Sequence, residues 1–343
     1  MRRNFIWLSL FFLALVIGVG IWRSADNREA SQAEFLMGTY MEIRAFGRRA
    51  PTAVERCFVR LQEIEDRMTA NSLDSEIATI NQKAGQEAVT VSEDTFFVIE
   101  KALRYAELTG GKFDPTIQPV VKLWQIGTDE ARVPAPAEIE AKLPLVDYRA
   151  VELDATQKTV YLPQAGMGLD LGGIAKGYAA DEAGAILKAH GVKKALINLG
   201  GNIYVLGTNP NNESWKIGIQ DPEEERNQYI AILAVQDATL VTSGPYERFL
   251  EVDDQVYHHI LDPATGYPAD TGLLSVTIVT TKSIDADALS TSVFALGREA
   301  GLELINSLAE VEAVIIDDEY RVFATAGIRQ QLTITDPKYT LMP

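Results

Sequence analysis

The chain has 343 residues, 47% hydrophobic and 23% charged, so it can bury a sizeable core and is neither disordered nor fibrous. Its 31 Lys and Arg against 48 Asp and Glu leave a formal net charge of −17, which repels nucleic acid, and repels any anionic metabolite unless a divalent cation supplies local positive charge. A single cysteine, Cys57, excludes an internal disulfide and a cysteine-based zinc site; with only three histidines, a metal centre here should be hard and oxygen-ligated.

Arg2 and Arg3 precede an uncharged run at 5–22, at the boundary between a long signal sequence and a short membrane span. The arginines would stay in the cytoplasm and send the rest outward. No cysteine follows to mark a lipoprotein, and Gly18-Val19-Gly20 is a poor cleavage site, so an uncleaved anchor is favoured over a cleaved signal. Residues 1–32 are read as this segment and its linker, and 33–343 as one exported domain in the periplasm or its equivalent, held at the cytoplasmic (inner) membrane.

Within that domain, 34–46 alternates as a strand after a short turn, and 52–68 carries apolar residues at helical spacing (Val54, Phe58, Leu61, Ile64, Met68). A short capped helix is expected at 74–81, a longer one at 92–109 ending at Gly110-Gly111, and a proline-rich loop with room for a short helix at 131–144. A hairpin follows at 150–162, then a helix at 174–189 stopped by Gly191. Strands dominate afterwards, at 195–199, 203–206, 215–220, 230–235, 239–242, 248–252, 256–260 and 274–280. Helices at 286–296 and 298–308 and two final strands close the chain. This order is not a βαβ alternation. It predicts an α+β fold, a single large domain with a mostly antiparallel sheet flanked by helices.

Four segments can carry chemistry. The glycine-dense turn 166–177, with Asp170, Gly172-Gly173 and Lys176, suits close approach to a phosphate or cation at a helix N-terminus, and equally suits tight strand-to-helix packing. Asp287, Ser290 and Thr291 share one helix face, as an oxygen-ligated Mg²⁺ or Ca²⁺ site requires; an acid-rich helix start is the plainer reading. His258 and His259 point to opposite faces of an extended strand, so at most one serves a given pocket as a general base. Thr109-Gly110-Gly111-Lys112-Phe113-Asp114-Pro115, with Trp124 beyond, suits a planar ligand or an ordinary turn. His190, beside Gly191, reads as a helix C-cap.

Taken together, Met37-Gly38-Thr39, the Gly111–Pro115 segment, Asp170-Leu171-Gly172-Gly173-Ile174-Ala175-Lys176-Gly177-Tyr178-Ala179-Ala180-Asp181, Asn198-Leu199-Gly200-Gly201-Asn202, Thr242-Ser243-Gly244-x-Tyr246-x-Arg248, His259-Ile260-Leu261-Asp262-Pro263-x-Thr265-Gly266 and Ala286-Asp287-Ala288-Leu289-Ser290-Thr291 resemble, in this order, the ApbE family of FAD:protein FMN transferases. The resemblance spans roughly 33–330 and implies an ApbE- or T-fold-like domain. It implies a Mg²⁺-dependent enzyme that cleaves FAD and passes FMN to a Ser or Thr hydroxyl of an acceptor, releasing AMP. It places metal ligands at Asp287, Ser290, Thr291 and the Gly173 carbonyl, with Asp287 also counted as catalytic. Flavin contacts fall on Met37, Asn71, Lys112, Phe113, Asp114, Asp170, Lys176 and Leu261, and His259 matches the histidine that assists catalysis. The implied acceptors are flavoprotein subunits of Na⁺-translocating NADH-quinone reductase or Rnf type. Nucleic acid is not a partner.

Two departures stand out. Asn71 occupies a place where many members carry tyrosine, and resembles the branch that hydrolyses FAD to FMN and AMP. Asp262-Pro263-Ala264-Thr265-Gly266 opens like an acceptor motif, but Tyr267 and Pro268 break it, so it reads as a turn. The competing classes are a non-catalytic FAD carrier, for which a metal at the pyrophosphate is unneeded, and a structural envelope protein, for which these motifs would be idle.

Overall fold

The computed structural model of the chain describes residues 28–224 and 228–343. The apolar run at 5–22 and most of the linker after it lie outside the described residues. Among the described residues, no helix is long and apolar enough to cross a membrane.

The chain opens with β1 (Glu29–Leu36) and β2 (Thr39–Phe46), a hairpin closed by Met37 and Gly38. The first strand thus starts ahead of residue 33. Helix α1 (Ala50–Met68) buries Val54, Cys57, Phe58, Leu61, Ile64 and Met68, the 3–4 spacing visible in the sequence. Then come α2 (Glu76–Gln82), β3 (Val89–Thr90) and α3 (Glu93–Leu108). Ser75 and Ser92 cap the two helices by accepting from Ala78 N and Thr95 N. The short α4 (Gln118–Trp124) and α5 (Pro136–Lys142) precede the β4 (Glu152–Asp154) and β5 (Thr159–Tyr161) hairpin. Helix α6 (Ala175–Ala189) ends where Gly191 turns at φ 76°. As expected, His190 is its C-cap residue: both its backbone N–H and its Nδ1 reach Ile186 O.

Strands β6 (Lys194–Leu199), β7 (Asn202–Leu206), β8 (Trp215–Gln220), β9 (Tyr229–Val235) and β10 (Ala238–Ser243) follow, then the hairpin β11 (Phe249–Val252) and β12 (Gln255–His258). The chain finishes with β13 (Leu273–Thr280), α7 (Ser283–Leu296), α8 (Arg298–Ser307), β14 (Glu312–Asp317), β15 (Arg321–Ala324), β16 (Leu332–Ile334) and β17 (Thr340–Leu341). Four short strands thus stand where two were expected.

A nine-stranded sheet runs β1-β2-β6-β7-β10-β13-β14-β15-β17, antiparallel except at β15–β17. Its two faces bury different partners because side chains alternate along each strand. Met41, Ile43, Ile197, Leu199, Val276, Ile278 and Ile315 meet α1, α3, α6 and α7 on one side. Val205, Leu240, Val279, Val314 and Ile316 meet the small sheet β16-β9-β8 on the other. An ion-pair cluster fastens the helical layer: Arg60 of α1 reaches Asp94 of α3 at 2.7 Å and Glu182 of α6 at 2.9 Å. A small satellite core of Val120, Trp124, Ile139 and Leu261 supports the loops at one end of the large sheet. The α+β class with a mostly antiparallel sheet is as expected.

Candidate active site

The glycine-dense turn is fixed before it reaches α6. Asn81 of α2 brackets Leu169, accepting from its N–H at 2.6 Å and donating to its carbonyl at 2.9 Å. Asp170 then donates its N–H to Pro115 O, while its carboxylate accepts from Gly172 N at 2.7 Å. Burial pushes the Asp170 carboxyl up, opposed by the Gly172 bond and by Arg248.

Helices α6 and α7 cross at Gly177. A methyl there would stand 2.2 Å from Ser283 O and 2.7 Å from Asp287 Cβ, so only glycine permits this approach. The closeness lets Gly177 N–H donate to Asp287 Oδ2 at 2.8 Å. Asp181, further along α6, caps α7 by accepting from Ser283 N and Ile284 N at 2.9 and 3.0 Å. The entry of α7 is thereby tied to α6 at two points.

One turn beyond Asp287, Thr291 Oγ1 lies 3.4 Å from the position of a Gly173 methyl, and Phe113 Cε2 lies 3.0 Å from it. Thr291 Oγ1 makes no hydrogen bond among the described residues. Gly173 and Thr291 are therefore neighbours, one helical turn on from Asp287. The Ser290 hydroxyl is already engaged: it donates to Asp287 O at 3.0 Å and accepts from Ser243 Oγ at 2.9 Å, a part-buried staple between α7 and β10. A carboxylate, a free hydroxyl and a main-chain carbonyl form an all-oxygen donor set, which fits Mg²⁺. Among the described residues no three His, Cys, Asp or Glu side chains cluster as metal ligands.

Burial pushes the Asp287 carboxyl up, opposed by the Lys176 charge, the Gly177 N–H and the Asn202 amide. Lys176, in the first turn of α6, has no hydrogen bond or ion pair among the described residues, and its charge acts on Asp287 and His259.

His259 follows β12. Its backbone N–H and its Nδ1 both bond Arg248 O at 3.1 Å. A carbonyl only accepts, so Nδ1 carries the proton and Nε2 is left with its lone pair. Burial, the Arg248 charge and the Lys176 charge pull its pKa down to about 3, which keeps the ring neutral. His258 points elsewhere: its Nε2 reaches Ala269 O at 3.1 Å and its ring meets the Phe294 edge.

The remaining assigned residues build the walls. Lys112 pairs with Asp262 at 2.8 Å, joining the loop after α3 to the turn after β12. Asp262 also accepts from Ala264 N, and Trp124 Nε1 donates to Gly266 O at 2.8 Å, so this segment is a braced turn. Asp114 is spent on structure: it accepts from Thr116 N and Oγ1 on one oxygen and from Tyr148 N on the other. Phe113 and Leu261 are buried. Met37 takes a left-handed φ of 49° and donates its N–H to Glu65 at 2.9 Å. Asn71 lies exposed in the loop after α1, near neither the α6–α7 crossing nor His259 by any contact among the described residues. Sequence reasoning did not single out Asn81, Asp181, Ser243 or Arg248 as functional, although the last three lie inside quoted motifs. Their roles are tertiary, and only the proximity of those motifs to the glycine turn and the histidine strand hinted at them.

This architecture defines an α+β protein whose glycine-dense turn, α7 start and histidine strand meet at one end of α6. The chain belongs to the ApbE family, whose model matches residues 37–315. It is 39% identical to the FAD:protein FMN transferase of Treponema pallidum over 98% of both chains. It is 37% identical to that of Klebsiella pneumoniae over 93% of this chain and 98% of the relative. Among solved structures, the ApbE protein of Thermotoga maritima superposes with a TM-score of 0.82 at 32% identity, covering 89% of this chain and 99% of that one. The flavin transferase ApbE of Vibrio cholerae does so with 0.79 at 26% identity, over the same shares.

Proposed function

We propose that the protein is a Mg²⁺-dependent FAD:protein FMN transferase. The observation that carries this is the convergence of Gly173, Asp287 and Thr291 beside the unpaired Lys176 at the start of α6. Relatives matching nearly the full chain carry that activity in their names. Asp287, Thr291 and the Gly173 carbonyl would hold the cation, which when bound neutralises diphosphate charge and polarises the attacked phosphorus. Lys176 and the α6 N-terminus bind the diphosphate oxygens. His259 Nε2 takes the proton from an acceptor Ser or Thr hydroxyl as that oxygen attacks the FMN phosphorus, and AMP leaves with the bond between the phosphates. Phe113 and Leu261 exclude water from the flavin side.

The acceptor is a flavoprotein subunit of Na⁺-translocating NADH-quinone reductase or Rnf type. The domain works on the extracytoplasmic side of the inner membrane, a reading supported by the apolar run at 5–22 behind Arg2 and Arg3. A second reading, FAD hydrolysis to FMN and AMP, is favoured by the residue type at Asn71, which resembles the hydrolytic branch of the family, although its exposed side chain makes no contact with the α6–α7 crossing or His259 among the described residues.

The test is incubation with FAD and Mg²⁺, with and without an acceptor bearing the Ser/Thr motif. Flavin fluorescence on the acceptor band marks transfer; free FMN and AMP without acceptor mark hydrolysis. Retained FAD with neither product would leave only a carrier. Asp287→Ala should lower either activity roughly a thousandfold, and His190→Ala should leave it unchanged.

A further inference from the structure

Arg248 stands just before β11 and reaches back to the β1–β2 turn, where its Nη2 donates to Gly38 O at 3.3 Å. Its stem runs past two glycines from distant segments. A methyl on Gly127 would stand 3.1 Å from Arg248 Cδ, and one on Gly38 would stand 3.3 Å from Nη2. Both glycines hold left-handed φ values, 91° and 69°, so two separate turns are shaped to let this side chain through.

A guanidinium has five N–H donors. Among the described residues one long bond to a carbonyl is all that occupies this one, and no carboxylate pairs with it. It shares this with the exposed Arg48, Arg49, Arg56 and Arg104, whereas Arg44, Arg60, Arg67, Arg132, Arg298 and Arg321 are each held by carboxylates; what sets Arg248 apart is its place. The side chain is at the site: its charge acts on Asp170 and on His259, and Lys176 is the other cation that acts on that histidine.

We propose that Arg248 is a substrate contact, turning its free donor fork to a phosphate oxygen of the dinucleotide while Lys176 engages the same diphosphate from the start of α6. Arginine suits this role because its planar fork matches a phosphate bidentately. The inference rests on the reading of the site as one that binds FAD, and it adds that the arginine reads the phosphates rather than the flavin ring.

Full-length wild type, Arg248→Gln and Arg248→Lys, held in EDTA to prevent turnover, are titrated calorimetrically with FAD and with riboflavin, which has no phosphate. Arg248→Gln should weaken FAD binding about 10- to 100-fold, the scale of a lost charged hydrogen bond, and leave riboflavin within about twofold. Arg248→Lys should lose less, because it keeps the charge without the fork. FAD affinity should fall with added salt more steeply in wild type than in Arg248→Gln. Equal losses for FAD and riboflavin would mean that Arg248 only holds the Gly38 turn, and unchanged FAD binding would remove it from the substrate altogether. If wild type itself bound neither flavin, in EDTA or with Mg²⁺ restored, the flavin reading of the site would fall first.

Discussion

Ser290 and Thr291 are neighbours in sequence with opposite fates. Spacing alone puts both hydroxyls near Asp287, but it does not say where each oxygen points. The Ser290 hydroxyl closes onto its own helix and onto Ser243, whereas Thr291 faces Gly173. Ser290→Ala should therefore cost about 1 kcal/mol of stability, from the two hydrogen bonds of the buried Ser290 hydroxyl that are lost. It should leave Mn²⁺ affinity, read by electron paramagnetic resonance, within about threefold. Thr291→Val should do the reverse, weakening the metal about tenfold or more with little loss of stability. The histidine carries a second residue-scale expectation. Its folded pKa of about 3 lies below the ordinary 6.5, so the unfolded chain binds a proton that the folded chain refuses. Stability linked to His259 is complete above pH 6.5 and is lost as pH falls toward 3. His259→Gln should unfold less steeply with acid across that window, measured by urea denaturation, and should lose FAD cleavage by about 100-fold or more. That Asp287 and Thr291 share a helix face, and that His258 and His259 point apart, was legible from spacing. The internal bonding of Asp114 and the Lys112–Asp262 pair were not, because each depends on a partner far away in sequence.

Among elements, the long helices were readable because burial follows a 3.6-residue period and Ser92 and Gly191 mark ends by their own chemistry. The opening hairpin was only half readable. Its two-residue turn needs positive φ at both central positions, and Met37 is a residue that rarely signals this, so 34–46 read as one strand instead of a turn between two. Helix α4 hid behind Pro115 and Pro119, which sit at helix starts here rather than breaking one. The α6–α7 crossing offers the clearest element-scale test. Gly177→Ala must push the helices apart against Ser283 O, a main-chain atom that cannot swing away. A loss of about 2–4 kcal/mol is expected, from overpacking and the lost Asp287 bond together, read by chemical denaturation. Metal affinity should fall with it.

For the molecule as a whole, the order of elements in the sequence was enough for the fold class and the single sheet-rich domain. It did not divide the strands between the nine-stranded sheet and the smaller β16-β9-β8 sheet, since both are apolar and alternate alike. The acidic surface sets a global condition: a dianionic ligand enters only where cations offset the field. Mg²⁺ at about 100 times its dissociation constant should stabilise the folded chain by about 2.7 kcal/mol. That shift, followed by thermal denaturation, should disappear in Asp287→Ala and on adding EDTA.

The bond from Gly177 to Asp287 also sets an order of events. Its donor is a main-chain group of α6 and its acceptor a side chain of α7, so the carboxylate gains this partner only once the two helices have met. Until the crossing closes, Asp287 stands without it, and the packing of two helices and the placing of one carboxylate are a single step.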